Sequence, residues 1–327
     1  MREAPIGVFD SGVGGLTVLK ALAAELSREH FVYLGDTARL PYGTKSPETV
    51  ARYAVQAAEA LSEYGVKCLV IACNTASSVG LPAIREHIRG VPIVGVIEPG
   101  AQAACAASRS GHIAVIATEG TVRGGAYQEA ILRLRGRARV VAQPAQLFVA
   151  LAEEGLHEGP IAASVARHYL DPVFHPRQLG VPAAFDRTPS VTRSGPAPAP
   201  VTPSNPVIVP AAFDCTPSVT RSGSASAPVT PSNPVFSPDT LVLGCTHFPM
   251  LAAAIRAAVG PAITIVDSAA TTAKAVRETL ESQNLIRLEG EGTIRFLATD
   301  SPERFARIGS RFLERPIDPE QVELVDL

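Results

Sequence analysis

Residues 69–78 are Leu69-Val70-Ile71-Ala72-Cys73-Asn74-Thr75-Ala76-Ser77-Ser78. The short apolar run, bounded by polar residues, predicts a buried strand of a parallel sheet, and a helix-like segment follows it. In open α/β sheets, ligands bind just outside the carboxyl ends of the strands. The strand therefore places Cys73, and the amide and hydroxyl groups after it, where a ligand would bind.

The same pattern recurs far downstream as Thr240-Leu241-Val242-Leu243-Gly244-Cys245-Thr246-His247. Both copies give an apolar strand, a small residue, a cysteine and polar residues, and Ala-Ile-Arg helical sequence follows each of them. Two strand-end cysteines in matched contexts suggest two half-sites that face one substrate. Strands alternate with helices along the rest of the chain, which predicts an α/β fold with parallel sheets.

The composition limits the classes of function. The 327 residues are enough for two α/β domains, and 46% hydrophobic with 18% charged residues indicates a globular protein. The net charge of −2 and the lack of a basic block disfavour nucleic-acid binding. No apolar run reaches the roughly 18–20 residues of a membrane-spanning helix, and no signal peptide is evident. We therefore expect a cytoplasmic protein with no membrane partner.

The cysteine pattern argues against disulfides and metal sites. The chain has five cysteines, an odd number, and none forms a CxxC pair or a His/Cys cluster of zinc-site spacing. Cys68 and Cys105 lie in apolar sequence and are expected to be small core residues. No metal is expected.

The domain prediction follows from the two cysteine strands. The first α/β domain is predicted to comprise residues 1–98 and 268–327 and to hold Cys73. The second is predicted to comprise residues 99–267 and to hold Cys245, and it begins where Glu98-Pro99-Gly100 breaks the strand predicted at 91–97. Residues 175–238 interrupt it with a Pro/Ser/Thr/Ala-rich segment duplicated at a 28-residue offset, and we expect a disordered, tolerated insertion. Cys215 lies in this insertion, so chemistry there is not expected.

A Gly-rich turn, Asp10-Ser11-Gly12-Val13-Gly14-Gly15, follows the first predicted strand. Such a turn before a helix could bind an anion, but Thr17 stands where a dinucleotide fingerprint needs its last glycine. Asp10 is either a helix cap or a site residue.

Three interpretations of the two cysteines remain open. In the first, one thiolate removes a proton from a substrate carbon while the opposite thiol donates one, with Asp10 and His247 as helpers. In the second, Cys245 is a nucleophile with His247 as its base, as in thiol hydrolases. In the third, both cysteines are buried core residues of a ligand-binding protein.

Four motifs together resemble the glutamate racemases, within the cofactor-independent aspartate/glutamate racemase family. They are Ile6-Gly7-Val8-Phe9-Asp10-Ser11-Gly12-Val13-Gly14-Gly15-Leu16, Leu40-Pro41-Tyr42-Gly43, Ala72-Cys73-Asn74-Thr75-Ala76 and Leu243-Gly244-Cys245-Thr246-His247-Phe248-Pro249-Met250-Leu251. The resemblance covers nearly the whole chain except the insertion. It implies two pseudo-symmetric parallel-sheet domains with the active site in the cleft between them.

The resemblance also implies a reaction, the interconversion of L- and D-glutamate without a cofactor, which supplies D-glutamate for peptidoglycan. Cys73 would take the proton from D-glutamate and Cys245 from L-glutamate, with Asp10 and His247 as their acid/base partners. The implied substrate-binding residues are Asp10, Ser11, Pro41, Tyr42, Gly43, Asn74, Thr75, Thr118, Thr121, Thr246 and His247. The expected partners are the small-molecule substrate and, as a homodimer, a second copy of the chain.

The sequence departs from the family pattern at one motif. The family often has Cys-Pro-Leu-Phe-Val-Pro-Leu before an acidic residue that helps the second cysteine. Here the matching residues are Ala145-Gln146-Leu147-Phe148-Val149-Ala150-Leu151-Ala152-Glu153, so the acidic residue is kept as Glu153. Aspartate racemases are the nearest alternative, because the two substrates differ by one methylene.

Overall fold

The computed structural model describes residues 1–175 and 236–327. The predicted insertion at 175–238, including Cys215, lies outside the described residues except at its two ends. The strands are β1 (Ile6–Asp10), β2 (Phe31–Gly35), β3 (Cys68–Ile71), β4 (Ile93–Gly95), β5 (His112–Ala117), β6 (Arg139–Pro144), β7 (Thr240–Gly244), β8 (Thr264–Asp267), β9 (Ile294–Ala298) and β10 (Val322–Leu324).

The helices complete the α/β pattern. They are α1 (Leu16–Glu25), α2 (Pro47–Glu63), α3 (Asn74–Val79), α4 (Leu81–His87), α5 (Ile97–Ala107), α6 (Glu119–Gly124), α7 (Ala126–Leu134), α8 (Leu147–Glu154), α9 (Gly159–Phe174), α10 (Ala252–Val259), α11 (Ser268–Ser282) and α12 (Pro302–Leu313). Short 3-10 helices lie at Tyr42–Thr44, Phe248–Leu251 and Pro319–Gln321.

The strands form two parallel sheets, as predicted. The first sheet has the order β10-β9-β2-β1-β3-β4, and the second has the order β6-β5-β7-β8. Every strand pair in both sheets is parallel. The carboxyl ends of β1 and β3 carry Asp10 and Cys73, and those of β5 and β7 carry Thr118 and Cys245.

Local sequence explains where the elements begin. Ser46 accepts a hydrogen bond from the Thr49 backbone N–H and caps α2, and Pro47 occupies its first position, where no N–H is needed. The central strands β1, β3 and β7 are buried along their whole length because helices cover both faces of each sheet.

The strand predicted at 91–97 is shorter in the structure, because β4 covers Ile93–Gly95 and α5 begins at Ile97 and continues to Ala107. Glu98-Pro99-Gly100 therefore lies inside a helix, where the sequence had predicted a break. Pro99 lies in the first turn of this helix, where its missing N–H breaks no intrahelical hydrogen bond. The strands of the first sheet all fall within residues 1–98 and 268–327, and those of the second within 99–267. The exact domain boundaries remain a prediction.

The strand that ends at Cys245 is anchored where the described chain resumes. Asp239 accepts hydrogen bonds from the Ser108 hydroxyl at 2.6 Å and from the backbone N–H groups of Arg109 and Ser110 at 2.8 and 2.7 Å. These hydrogen bonds outweigh the effect of burial and hold the pKa of the Asp239 carboxyl below its usual range. The start of β7 is therefore fixed to the loop before β5. Within residues 1–175 and 236–327, no helix is long and apolar enough to cross a membrane.

Candidate active site

Asp10 is the last residue of β1 and is completely buried. Its Oδ2 accepts a hydrogen bond from the Gly12 backbone N–H at 2.9 Å. Its Oδ1 is buried and has no hydrogen-bond partner among the described residues. Burial raises the pKa of this carboxyl, and the charge of His247 opposes that shift. Asp10 therefore offers a free acceptor for a donor group of a ligand.

Cys73 lies between β3 and α3 and is buried. Its Sγ accepts from the Ala76 backbone N–H at 3.4 Å and lies 3.5 Å from the Ser11 hydroxyl. Burial and the nearby Asp10 carboxylate raise the pKa of this thiol to about 12. Cys73 is therefore a neutral thiol at physiological pH, in the form that can donate a proton.

Cys245 follows β7 and has a different environment. Its Sγ lies 3.9 Å from Nδ1 of His247, whose Nε2 lies 3.2 Å from Oε1 of Glu153. Burial disfavours the charged imidazole, but Cys245 and Glu153 outweigh that effect and raise the pKa of His247 to about 10. His247 is thus an imidazolium at neutral pH, and its Nδ1 faces the Cys245 sulfur.

The loops that carry the two cysteines meet. Cys245 is among the groups that raise the pKa of Cys73, which places the two side chains within electrostatic range of each other. Gly14, in the loop after β1, approaches the second half-site so closely that a Cβ there would lie 2.4 Å from His247 and Thr246. The Thr17 hydroxyl donates to the Thr246 carbonyl at 3.0 Å. The first and second sheets therefore contribute to one cleft.

Three threonine hydroxyls form a cluster where α3 meets the start of α6. The Thr75 hydroxyl is 2.9 Å from that of Thr118 and 3.2 Å from that of Thr121, and the last two are 2.9 Å apart. All three residues are buried. Hydroxyl groups suit a carboxylate, because each can turn its O–H toward the anion.

Asn74 adds an amide to this cluster. Its Oδ1 accepts a hydrogen bond from the Tyr127 hydroxyl at 2.8 Å, which fixes the orientation of the amide. Its Nδ2 is buried and has no hydrogen-bond partner within residues 1–175 and 236–327. The site therefore has an unpaired donor at Asn74 and an unpaired acceptor at Asp10. An amino acid, with its carboxylate and ammonium groups, complements both.

The loop at Pro41-Tyr42-Gly43 reaches the same cluster through its backbone. A Cβ at Gly43 would lie 2.7 Å from Cβ of Thr118, so only glycine allows this contact. The Tyr42 hydroxyl, however, donates to Oδ2 of Asp36. The Tyr42 hydroxyl is therefore engaged inside the protein. The loop that carries Tyr42 can offer its backbone groups to a ligand.

Several residues that support the site were not predicted from the sequence. Asp36 also accepts from Arg39 at 2.7 Å and from Thr299 at 2.9 Å, and so holds the loop that carries Tyr42. On α12, Phe312 packs edge-on against the ring of His247, with centroids 5.2 Å apart. Of these residues, only Asp36 has a recognisable sequence pattern, because Gly35-Asp36-Thr37 places a carboxylate at the end of β2.

In the described part of the chain, no group of three His, Cys, Asp or Glu side chains could hold a metal ion. Cys68 is buried in the core, as expected, whereas Cys105 is only half-buried and packs against the core of the second sheet. The four described cysteines are free thiols.

Comparison with known proteins gives a consistent family. The family model described as Asp/Glu/Hydantoin racemase matches residues 6–168. A glutamate racemase of Geobacter metallireducens is 40% identical over 309 residues, which are 94% of this chain and 92% of that protein. A glutamate racemase of Thermus thermophilus is 38% identical over 325 residues, 99% of this chain and 98% of that protein.

Solved structures agree. The glutamate racemase of Thermus thermophilus in complex with beta-chloro-D-alanine is 37% identical with a TM-score of 0.73, covering 100% of this chain and 98% of that one. The glutamate racemase of Francisella tularensis in complex with D-glutamate is 28% identical with a TM-score of 0.76, at the same coverage. With two parallel-sheet domains, matched motifs and full-length similarity, the chain belongs to the glutamate racemase family of isomerases.

Proposed function

We propose that this protein interconverts L- and D-glutamate without a cofactor, with Cys73 and Cys245 as the two acid/base residues. The observation that carries the proposal is that two thiols, held at the strand ends of two sheets, border one cleft, Cys73 beside Asp10 and Cys245 beside His247. A racemase with two bases needs one thiolate and one thiol at the start of each turnover.

Starting from L-glutamate, the Cys245 thiolate takes the proton from Cα and becomes a thiol. The Cys73 thiol then donates its proton to the opposite face of the carbanion, which gives D-glutamate and leaves Cys73 as a thiolate. The reverse reaction uses the same atoms in the opposite order. Each direction therefore returns the site to the state from which the other begins, and no external oxidant or reductant is needed.

The neighbouring groups support both steps. The His247 imidazolium stabilises a thiolate at Cys245, and Glu153 keeps the imidazole ring oriented. Asp10, whose pKa is raised by burial, lies beside Cys73 and can accept the substrate ammonium at its free Oδ1. The ammonium increases the acidity of Cα, since it withdraws electrons from the carbon that loses its proton.

Binding of glutamate would use the unpaired donor and the hydroxyl cluster. Asn74 Nδ2 and the hydroxyls of Thr75, Thr118 and Thr121 suit a carboxylate. The glutamate-racemase relatives at 34–40% identity favour glutamate over aspartate as the substrate. By the same resemblance, the product D-glutamate would enter peptidoglycan synthesis. The cytoplasmic location and the homodimer remain predictions.

One observation favours a second candidate function. Cys245, His247 and Glu153 form a Cys-His-Glu chain of contacts, with spacings of 3.9 and 3.2 Å, as a thiol hydrolase would use. That mechanism gives no role to Cys73, although the Cys73 sulfur and the Ser11 hydroxyl are in hydrogen-bonding contact inside the same cleft.

The experiment that separates these functions follows the optical rotation of L-glutamate in D2O without added cofactor. Wild type is expected to racemise glutamate and to introduce deuterium at Cα, and Cys73→Ser and Cys245→Ser are each expected to abolish racemisation. Cys105→Ser is the matched control, because this thiol lies outside the cleft. Full activity in Cys73→Ser would refute the two-base mechanism. Turnover of aspartate in place of glutamate would assign the alternative substrate.

A further inference from the structure

We propose that Arg304 is a positioning residue of the Cys245 half-site, which holds the Glu153 carboxylate so that it keeps His247 beside the sulfur. This inference rests on the proposed function and deepens it. Arg304 lies on α12, which follows the last long strand of the first sheet, whereas Glu153 lies on α8 beside the second sheet.

The contacts of Glu153 carry the argument. Its Oε1 lies 3.2 Å from Nε2 of His247, and its Oε2 accepts a hydrogen bond from Nη2 of Arg304 at 3.1 Å. Within the described residues, these two side chains are the partners of the carboxylate. A carboxylate held at both oxygens has one orientation, so loss of Arg304 would free Glu153 to turn away from His247.

A second set of contacts shows that α12 is built against this half-site. Phe312 packs against the His247 ring, and Nη1 of Arg311 lies 3.5 Å from the Glu153 carbonyl. Arg304 and Glu153 also line the same small cavity, of about 100 Å³, together with residues of the loops after β1 and β2. One helix therefore supports His247 both directly, through Phe312, and through Glu153.

The charged groups around His247 come from three other elements. Cys245 belongs to its own loop, Glu153 to α8 and Asp10 to β1, and Arg304 faces the far side of Glu153 from α12. The Arg304 side chain is 44% exposed, and ion pairs of exposed arginines contribute little to stability. We therefore expect Arg304 to affect the reaction more than the fold.

The test uses the symmetry of racemisation. The equilibrium constant between enantiomers is one, so kcat/KM is equal in both directions for every variant. The kinetic isotope effects on kcat/KM, in contrast, can differ between the two directions. If loss of Arg304 slows only the step at Cys245, deuterium at Cα of L-glutamate should give a larger isotope effect on kcat/KM than in wild type. Deuterated D-glutamate should give an effect closer to one.

We expect Arg304→Gln to lower kcat/KM about tenfold, less than the ~100-fold cost of a 1 Å misplacement. Arg304→Lys should restore part of the loss, because it keeps the charge. Arg307→Gln is the matched control: this arginine lies on the exposed side of the same helix. A loss in Arg304→Gln with unchanged isotope effects, or no difference from Arg307→Gln, would overturn the positioning role.

A second measurement does not depend on turnover. In 15N-labelled protein, the imidazole signals of His247 report its pKa, and we expect this pKa to be lower in Arg304→Gln than in wild type. An unchanged titration would contradict the inference. If wild type exchanged no deuterium at Cα, the proposed function would fail, while the titration would still decide whether Arg304 positions Glu153.

Discussion

Replacing Gly14 with alanine tests the contact between the loop after β1 and the Cys245 half-site. The new Cβ would lie 2.4 Å from Nδ1 and Cε1 of His247 and from Oγ1 of Thr246, whereas ordinary contacts begin at 3.4 Å. The loop or the imidazole must therefore shift by about 1 Å. Such a displacement of a catalytic group costs about 100-fold in rate, which is the loss in kcat/KM that we expect.

The imidazole has little room to move. Its Nδ1 is already 3.9 Å from the Cys245 sulfur, its Nε2 is tied to Glu153, and Phe312 packs against the ring. A shift away from Gly14 must disturb at least one of these contacts. We would measure kcat and KM for both enantiomers by circular dichroism, and the unfolding midpoint as a check on folding.

Gly12→Ala is the matched control in the same loop. A Cβ there would meet only Cδ2 of Leu40, at 3.5 Å, which is an ordinary contact. Its kcat/KM should stay within about twofold of wild type, as for a substitution without a clash. Wild-type kinetics in Gly14→Ala, with an unchanged unfolding midpoint, would refute the close approach of the two half-sites.

Three further predictions concern the support of the site. Asp36→Asn should raise KM, and it should lower the free energy of unfolding by about 1.5–3 kcal/mol for each charged hydrogen bond lost. Steady-state kinetics and urea unfolding measure the two effects. An unchanged KM would show that the loop of Tyr42 needs no anchor. The pKa of His247 is raised to about 10, so its contribution to stability is complete below the unfolded value of about 6.5 and is lost as the pH rises through about 10. The free energy of unfolding of His247→Gln should lack this alkaline decline, and kcat/KM of wild type should fall over the same range. Replacing residues 176–235 with a flexible Gly/Ser linker should leave kcat/KM unchanged, because Asp239 anchors β7 without them; a large loss would assign the insertion a role in the site.

The sequence was sufficient to predict the central elements and the cysteine positions. Short apolar runs at 69–71 and 241–243 became the buried strands β3 and β7, because central parallel strands need apolar residues on both faces. Ser46 followed by Pro47 is the sequence pattern of a helix start, and α2 begins there. The edge strand β6 was missed, because Arg139 and Pro144 are exposed at its ends and it lacks a continuous apolar run.

The supporting residues could not be predicted for a different reason. Arg304 and Phe312 are close to His247 only because α12 packs beside the cleft, about 60 residues further along the chain. Nothing in an amphipathic helix distinguishes an arginine that meets a carboxylate from one that meets solvent. Tyr127 could not be assigned to the site either. It lies on α7, a helix that was not predicted from the sequence, and its hydroxyl donates to Asn74.

The two cysteines lie in matched sequence contexts, but their charged neighbours in the structure differ. Two residues after each cysteine, the chain has Thr75 in one copy and His247 in the other. Thr75 joins a neutral hydroxyl cluster, while His247 carries a positive charge to the Cys245 sulfur. Burial, and the Asp10 carboxylate as its charged neighbour, raise the pKa of Cys73. The proposed mechanism requires one of the two thiols to lose its proton before turnover, and this difference between the two copies places a cation beside Cys245 and a carboxylate beside Cys73.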